Sequence, residues 1–123
     1  MKTQELTGYT LDWAVSLITN PEWGTEHRMY NVTMEDKNYD RIFNPSGSWL
    51  HGGPIIERES LCVGRKQQCD TAYCPVNDPT VDCWARTPSG GHLSYGPTPL
   101  IAAMRCYVRA KLGDEINIPE ELL

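Results

Sequence analysis

The stretch "GPTPLIAAMRCYV", residues 96–108, packs turn chemistry, a helix start and an apolar stripe into one short run. Thr98 is placed to cap a helix with its hydroxyl. Pro99 suits the first helical position, because the N–H a proline lacks would find no partner there. Ile101, Met104, Val108 and Leu112 recur at helical spacing and predict the buried stripe, with Leu100 and Tyr107 at its margin. Gly113 follows as the residue that closes the helix. The segment 98–112 therefore reads as a core helix.

Working outward, a second helix is written into "ELTGYTLDWAVSLITNP". Thr7 is the expected cap, flanked by Leu6 before it and Leu11 after it in the arrangement of a hydrophobic staple. Leu11, Ala14, Val15 and Ile18 carry the apolar face, Trp13 and Leu17 widen it, and Asn20-Pro21 ends it. The indole N–H of Trp13 needs a partner if it is buried. Between the helices, "MYNVTM" alternates, so Tyr30, Val32 and Met34 predict one face of a strand, and "RIF" a short return. "LCV" and "VDCWA" read as brief strands, and Ile116 and Ile118 predict a final one. "NPSGSWLHGGP" is a loop by composition. "GGPIIERES" is open between an extended segment and a short helix with Pro54 at its first position.

The expected architecture is a small α+β fold, one domain over residues 1–123 with a loop-rich, cysteine-containing segment at 64–95. Two helices, 7–19 and 98–112, pack on a short antiparallel sheet from 29–34, 61–63, 81–85 and 115–118. Strand order is left open. A chain of 123 residues suits one domain. Its 40% hydrophobic content supports a compact core. No apolar run is long enough for a membrane span, and "MKTQELTGY" lacks the apolar stretch of a secretory signal, so a cytosolic setting is expected.

Sixteen acidic against 11 basic residues give a formal charge of −5, which argues against bulk nucleic-acid binding and leaves room for a small anionic ligand. Five cysteines in a reducing compartment argue against a disulfide framework. They contain no C-x-x-C, so the set Cys69, Cys74, Cys83 and His92 departs from the usual zinc template, and neither metal nor cofactor is expected. The chain has no G-x-x-x-x-G-K, no strand-linked G-x-G-x-x-G, no G-x-S-x-G and no H-E-x-x-H.

What stands out is a doubled theme. "HGGPIIERE" and "YGPTPLIAAMR" each place glycine and proline before an apolar turn, with a charged residue soon after. If both open helices, each offers N–H groups and the positive end of a dipole to an anion. The candidate ligand contacts are Trp49, His51, Gly52, Gly53, Arg58, Tyr95, Gly96, Thr98 and Arg105. Trp49 and Tyr95 would stack on a flat ring, and Arg105 would reach back toward the helix start. The competing reading is structural: a good cap, with Arg105 paired to Glu57 or Glu59. A catalytic variant would use His51 as general base with Glu57 or Glu59.

"ELTGYTLDWAV", "W-x-x-GGPIIERE" and "GPTPLIAAMRCYV-x-x-KLGDE", in this order, resemble the NinX-like proteins of tailed bacteriophages. The resemblance thins between 64 and 83. It implies a small phage-encoded accessory protein acting in the cytoplasm of a host bacterium, and it carries no catalytic residues over. In that setting the leading expectation is a non-enzymatic, homo-oligomeric binder that sequesters a nucleotide-like signal to counter host defence. The alternatives are an interaction protein, assisting phage recombination or replication or blocking a host protein, and a cyclic-nucleotide hydrolase.

Overall fold

A computed structural model of the chain describes residues 1–33, 43–65, 83–89 and 91–122. Its elements are α1 (Gly8–Thr19), α2 (Thr25–Thr33), α3 (Trp49–Glu59), β1 (Cys62–Arg65), β2 (Cys83–Arg86), β3 (Leu93–Gly96) and α4 (Pro99–Leu112). The three strands form an antiparallel sheet in the order β1-β2-β3. The fold is a small α+β domain.

Helix α4 is the centre of the packing, in contact with α1, α3 and all three strands. Thr98 Oγ1 accepts from the Ile101 N–H at 3.2 Å, and Gly113, at φ +95°, stops the helix in a region that costs other residues strain. Ala102, Ala103, Met104, Cys106, Tyr107 and Val108 are buried. The expected stripe is shifted: Leu100 and Tyr107 are inside, Ile101 is half-buried and Leu112 is exposed. Three neighbours, α1, α3 and the sheet, enclose α4, so more than one of its faces is covered. The sheet presents Cys83, Ala85, Ser94 and Gly96 as its buried residues. A Cβ on Gly96 would stand 2.8 Å from the Ala102 nitrogen, so glycine sets how closely β3 can approach α4.

Helix α1 starts as expected, with Leu6 and Leu11 both fully buried. The Thr7 N–H donates to Thr10 Oγ1 at 3.1 Å, and that hydroxyl returns a bond to Thr7 O at 2.7 Å. Trp13 Nε1 is buried without a hydrogen-bond partner among the described residues.

Three local expectations are corrected. Residues 29–33 belong to helix α2, not to a strand, and Met34 and the start of "RIF" lie outside the described residues. The alternation failed because Val32 is fully buried while Tyr30 is 64% exposed. The inward residue one turn before Val32 is Arg28, whose guanidinium donates to Ser16 Oγ at 2.9 Å and Trp23 O at 2.8 Å. Burial pushes that guanidinium below its usual pKa range. Second, 115–118 forms no sheet strand: Glu115 makes a single bridge with Lys2, and Ile116 exchanges bonds with Met1. Third, β3 begins within the loop-rich segment 64–95, where no strand was expected beyond 81–85.

Candidate functional site

Helices α3 and α4 lie side by side and run in the same direction. Gly52 faces Leu100, Arg58 donates to the Tyr107 hydroxyl at 3.1 Å, and Glu59 pairs with Lys111 at 3.1 Å. Both helices therefore begin at one end of the molecule. That packing brings Trp49, His51, Gly52 and Gly53 of α3 to the end where Thr98 caps α4. Trp49 is 57% exposed there and Leu50 is 61% exposed.

The doubled theme is only half a pair of helix starts. Helix α3 is preceded by Ser48 as its N-cap, and Pro54 lies inside it. Gly52 is needed for contact: a Cβ would stand 2.5 Å from Pro45 O and 2.6 Å from Leu100 Cδ2. Gly53 has no such constraint, with only Trp49 Cε3 at 3.9 Å. The first-turn amides are partly used. His51 and Gly52 N–H donate to Ser48 O, while the Ile101 and Ala102 N–H groups go to Thr98. Trp49, Leu50 and Leu100 keep amides without an intrahelical acceptor.

The arginines are spent elsewhere. Arg105 Nε donates to Leu6 O at 2.8 Å, and one of its terminal nitrogens donates to Tyr95 O at 2.9 Å. Arg109 donates to Leu93 O at 2.7 Å and to Asp114 Oδ1 at 2.6 Å. The match is metric. Residues four apart on a helix are separated by about 6 Å, and residues two apart on a strand by about 6.6 Å. Two arginines one turn apart thus meet the Leu93 and Tyr95 carbonyls on the β3 edge away from β2. Arg105 is half-buried, and desolvation lowers its pKa. It points to these carbonyls, not to Glu57 or Glu59. Arg58, near the far end of α3, also contacts Glu59 at 3.4 Å. Tyr95 lines a separate cleft with the amino-terminal residues.

The residues of the catalytic variant are spread out. His51 Nδ1 accepts from the Asn44 N–H at 3.0 Å, and its ring stacks on Phe43 at 5.8 Å. Glu57 is exposed. Glu59 stands about 12 Å further along the helix axis than His51. The hydrogen bond from Lys111 is the main cause holding Glu59 below the usual carboxylate range. Of the metal candidates, Cys69 and Cys74 lie outside the described residues. Cys83 is buried in β2, His92 is half-buried beside β3, and no cluster of three or more metal-binding side chains occurs among the described residues.

Sequence reasoning passed over Asp12. It is 3% exposed and its Oδ1 accepts from the Ser46 N–H at 2.9 Å, holding the turn that leads into α3. Burial raises its pKa to about 6, against the opposing hydrogen bonds from Ser46. The available signal was an acid flanked by Leu11, Trp13, Ala14 and Val15 in an otherwise apolar helix.

Residues 2–111 match the family described as "Bacteriophage P22, NinX". The chain belongs to the NinX family. The NinX match takes in every residue at the shared helix-start end, and it stops just short of the end of α4. A search of curated proteins finds no match. Among the described residues, no helix of this NinX-family chain is long and apolar enough to cross a membrane.

Proposed function

We propose that this NinX-family protein is a phage accessory protein that binds rather than catalyses, taking a small nucleotide-like molecule at the end where α3 and α4 begin. The observation that carries this reading is the parallel packing of the two helices, which sets both positive dipole ends beside an exposed Trp49. Anionic groups are favoured at helix starts, and a flat ring is favoured on an indole face.

Magnitudes constrain how such a site works. Each exposed helix start contributes roughly 0.3–1 kcal/mol toward an anion, and one stacked base roughly 1–3 kcal/mol. The sum is about 2–5 kcal/mol, which corresponds to a millimolar Kd or weaker for most of its range. Sequestration of a scarce signal needs more. A second copy closing over Trp49 supplies it, and this is the basis for reading the protein as a homo-oligomer that acts in the host cytoplasm against a defence signal.

The test is calorimetry of the purified protein against a panel of cyclic and linear nucleotides, with size-exclusion chromatography of free and loaded protein. Trp49→Ala should weaken the best ligand at least about fivefold. Chromatography after denaturation should return the ligand intact. Unchanged binding in Trp49→Ala refutes the site, and a cleaved nucleotide refutes the non-catalytic reading.

A second reading rests on Leu50. It extends the exposed apolar surface of Trp49, a residue type enriched at protein-binding hot spots. Here the protein blocks or assists a partner protein. A stable protein complex lost on Leu50→Ala, with no nucleotide bound at all, would select it.

A further inference from the structure

Toward the other end of α4, a cleft of about 340 Å³ lies between the amino-terminal segment, β3 and the residues just after α4. Its lining runs from Tyr95, whose carbonyl is held by Arg105 about 9 Å along α4 from its start, to Asp114 and Glu115 beyond the helix end. Leu93 and Tyr95 are two apart on β3 and so share one face, which gives the cleft an apolar wall. Lys2 and Glu115 are partners across an isolated antiparallel bridge, so their side chains stand next to each other. The three ion pairs among the described residues leave both of them out. Thr3, Gln4, Arg109 and Asp114 complete the lining, the last two already locked together at 2.6 Å.

The cleft thus holds one cation and one carboxylate outside those ion pairs, a fixed cation–carboxylate pair beside them, and an apolar wall. Charge is balanced, so the site does not select an anion. It matches a molecule bearing both signs close together. Its volume is at the low end of the roughly 300–1,000 Å³ usual for ligand sites, too small to bury a dinucleotide and ample for an amino acid.

We propose that this cleft binds a free α-amino acid with an apolar or aromatic side chain. The ligand carboxylate meets Lys2, its ammonium group meets Glu115, and its side chain lies on Leu93 and Tyr95. The inference is independent of the nucleotide site.

The test is an amide NMR titration of the full chain with L-phenylalanine, up to about 10 mM so that a millimolar Kd is measured. N-acetyl-L-phenylalanine and L-phenylalanine amide, each lacking one charge, are titrated in parallel. Saturable shifts are expected at Gln4, Leu93, Tyr95 and Glu115, with each derivative at least about fivefold weaker. Lys2→Gln and Glu115→Gln should each weaken L-phenylalanine by a similar factor, and Trp49→Ala should leave it unchanged. These surface variants keep the backbone bridge, and their amide spectra report whether the fold is intact. Absence of saturable shifts, shifts spread away from the cleft, or equal affinity for the single-charge derivatives would each overturn the proposal.

Discussion

Removing the guanidinium of Arg105 separates its two readings. Arg105→Ala deletes donors to two backbone carbonyls, Leu6 O at 2.8 Å and Tyr95 O at 2.9 Å. Leu6 is fully buried, so its carbonyl loses a charged donor where water has poor access. A bond of that kind is worth about 1.5–3 kcal/mol. Tyr95 O keeps the amide of Gln4 at 2.8 Å, so its loss is smaller, about 0.5–1 kcal/mol. The expected destabilisation is roughly 2–4 kcal/mol, or a fall in Tm of about 10 °C for a domain of this size. Arg105→Lys reaches one carbonyl at most and should lose about half as much. The variant also uncovers part of the β3 edge, so aggregation on heating should become steeper with concentration. Thermal and urea unfolding followed by circular dichroism measure both effects. An Ala variant that melts within about 2 °C of the parent but no longer binds its ligand would refute the brace and restore Arg105 as a contact.

Asp12 predicts a pH dependence with a defined sign. Its folded pKa of about 6 lies above the ordinary 3.8, so the folded state holds its proton longer than the unfolded state. Its stabilising contribution is therefore complete below about pH 4 and is lost as pH rises toward 6, with no further change above that. The parent should lose about 3 kcal/mol relative to Asp12→Asn across this window, measured as the difference between their urea-unfolding curves. Adjacent glycines should respond oppositely. Gly52→Ala forces a methyl against Pro45 O and should cost about 1–3 kcal/mol, while Gly53→Ala relieves backbone entropy in a helix and should gain up to about 1 kcal/mol. Thr98→Ala removes the hydroxyl that accepts from Ile101 and should cost about 1 kcal/mol in the same assay.

Local chemistry alone determined the two main helices. Thr7, Thr98 and Gly113 act through hydrogen bonds and dihedrals inside one turn, so no distant residue is needed to read them. The strands Cys62–Arg65 and Cys83–Arg86 were legible within a residue or two for the same reason. Elements that owe their state to distant partners were not legible. Helix α2 depends on Arg28 reaching Ser16, and nothing local marks an arginine as an inward residue. Strand β3 turns only Ser94 and Gly96 to the core, and its outer carbonyls are met by side chains of α4.

The candidate site divides along the same line. The residue types at the helix starts were evident, but whether "HGGPIIER" and "GPTPL" meet was not. They meet because α3 and α4 run parallel, a relation fixed by the absent side chain of Gly52 and by the Arg58 and Glu59 contacts near the other end of the helix. Tertiary structure alone also decided that Arg105 serves the β3 edge. A guanidinium goes to the nearest buried acceptors, and their position depends on which strand the chain folds against the helix.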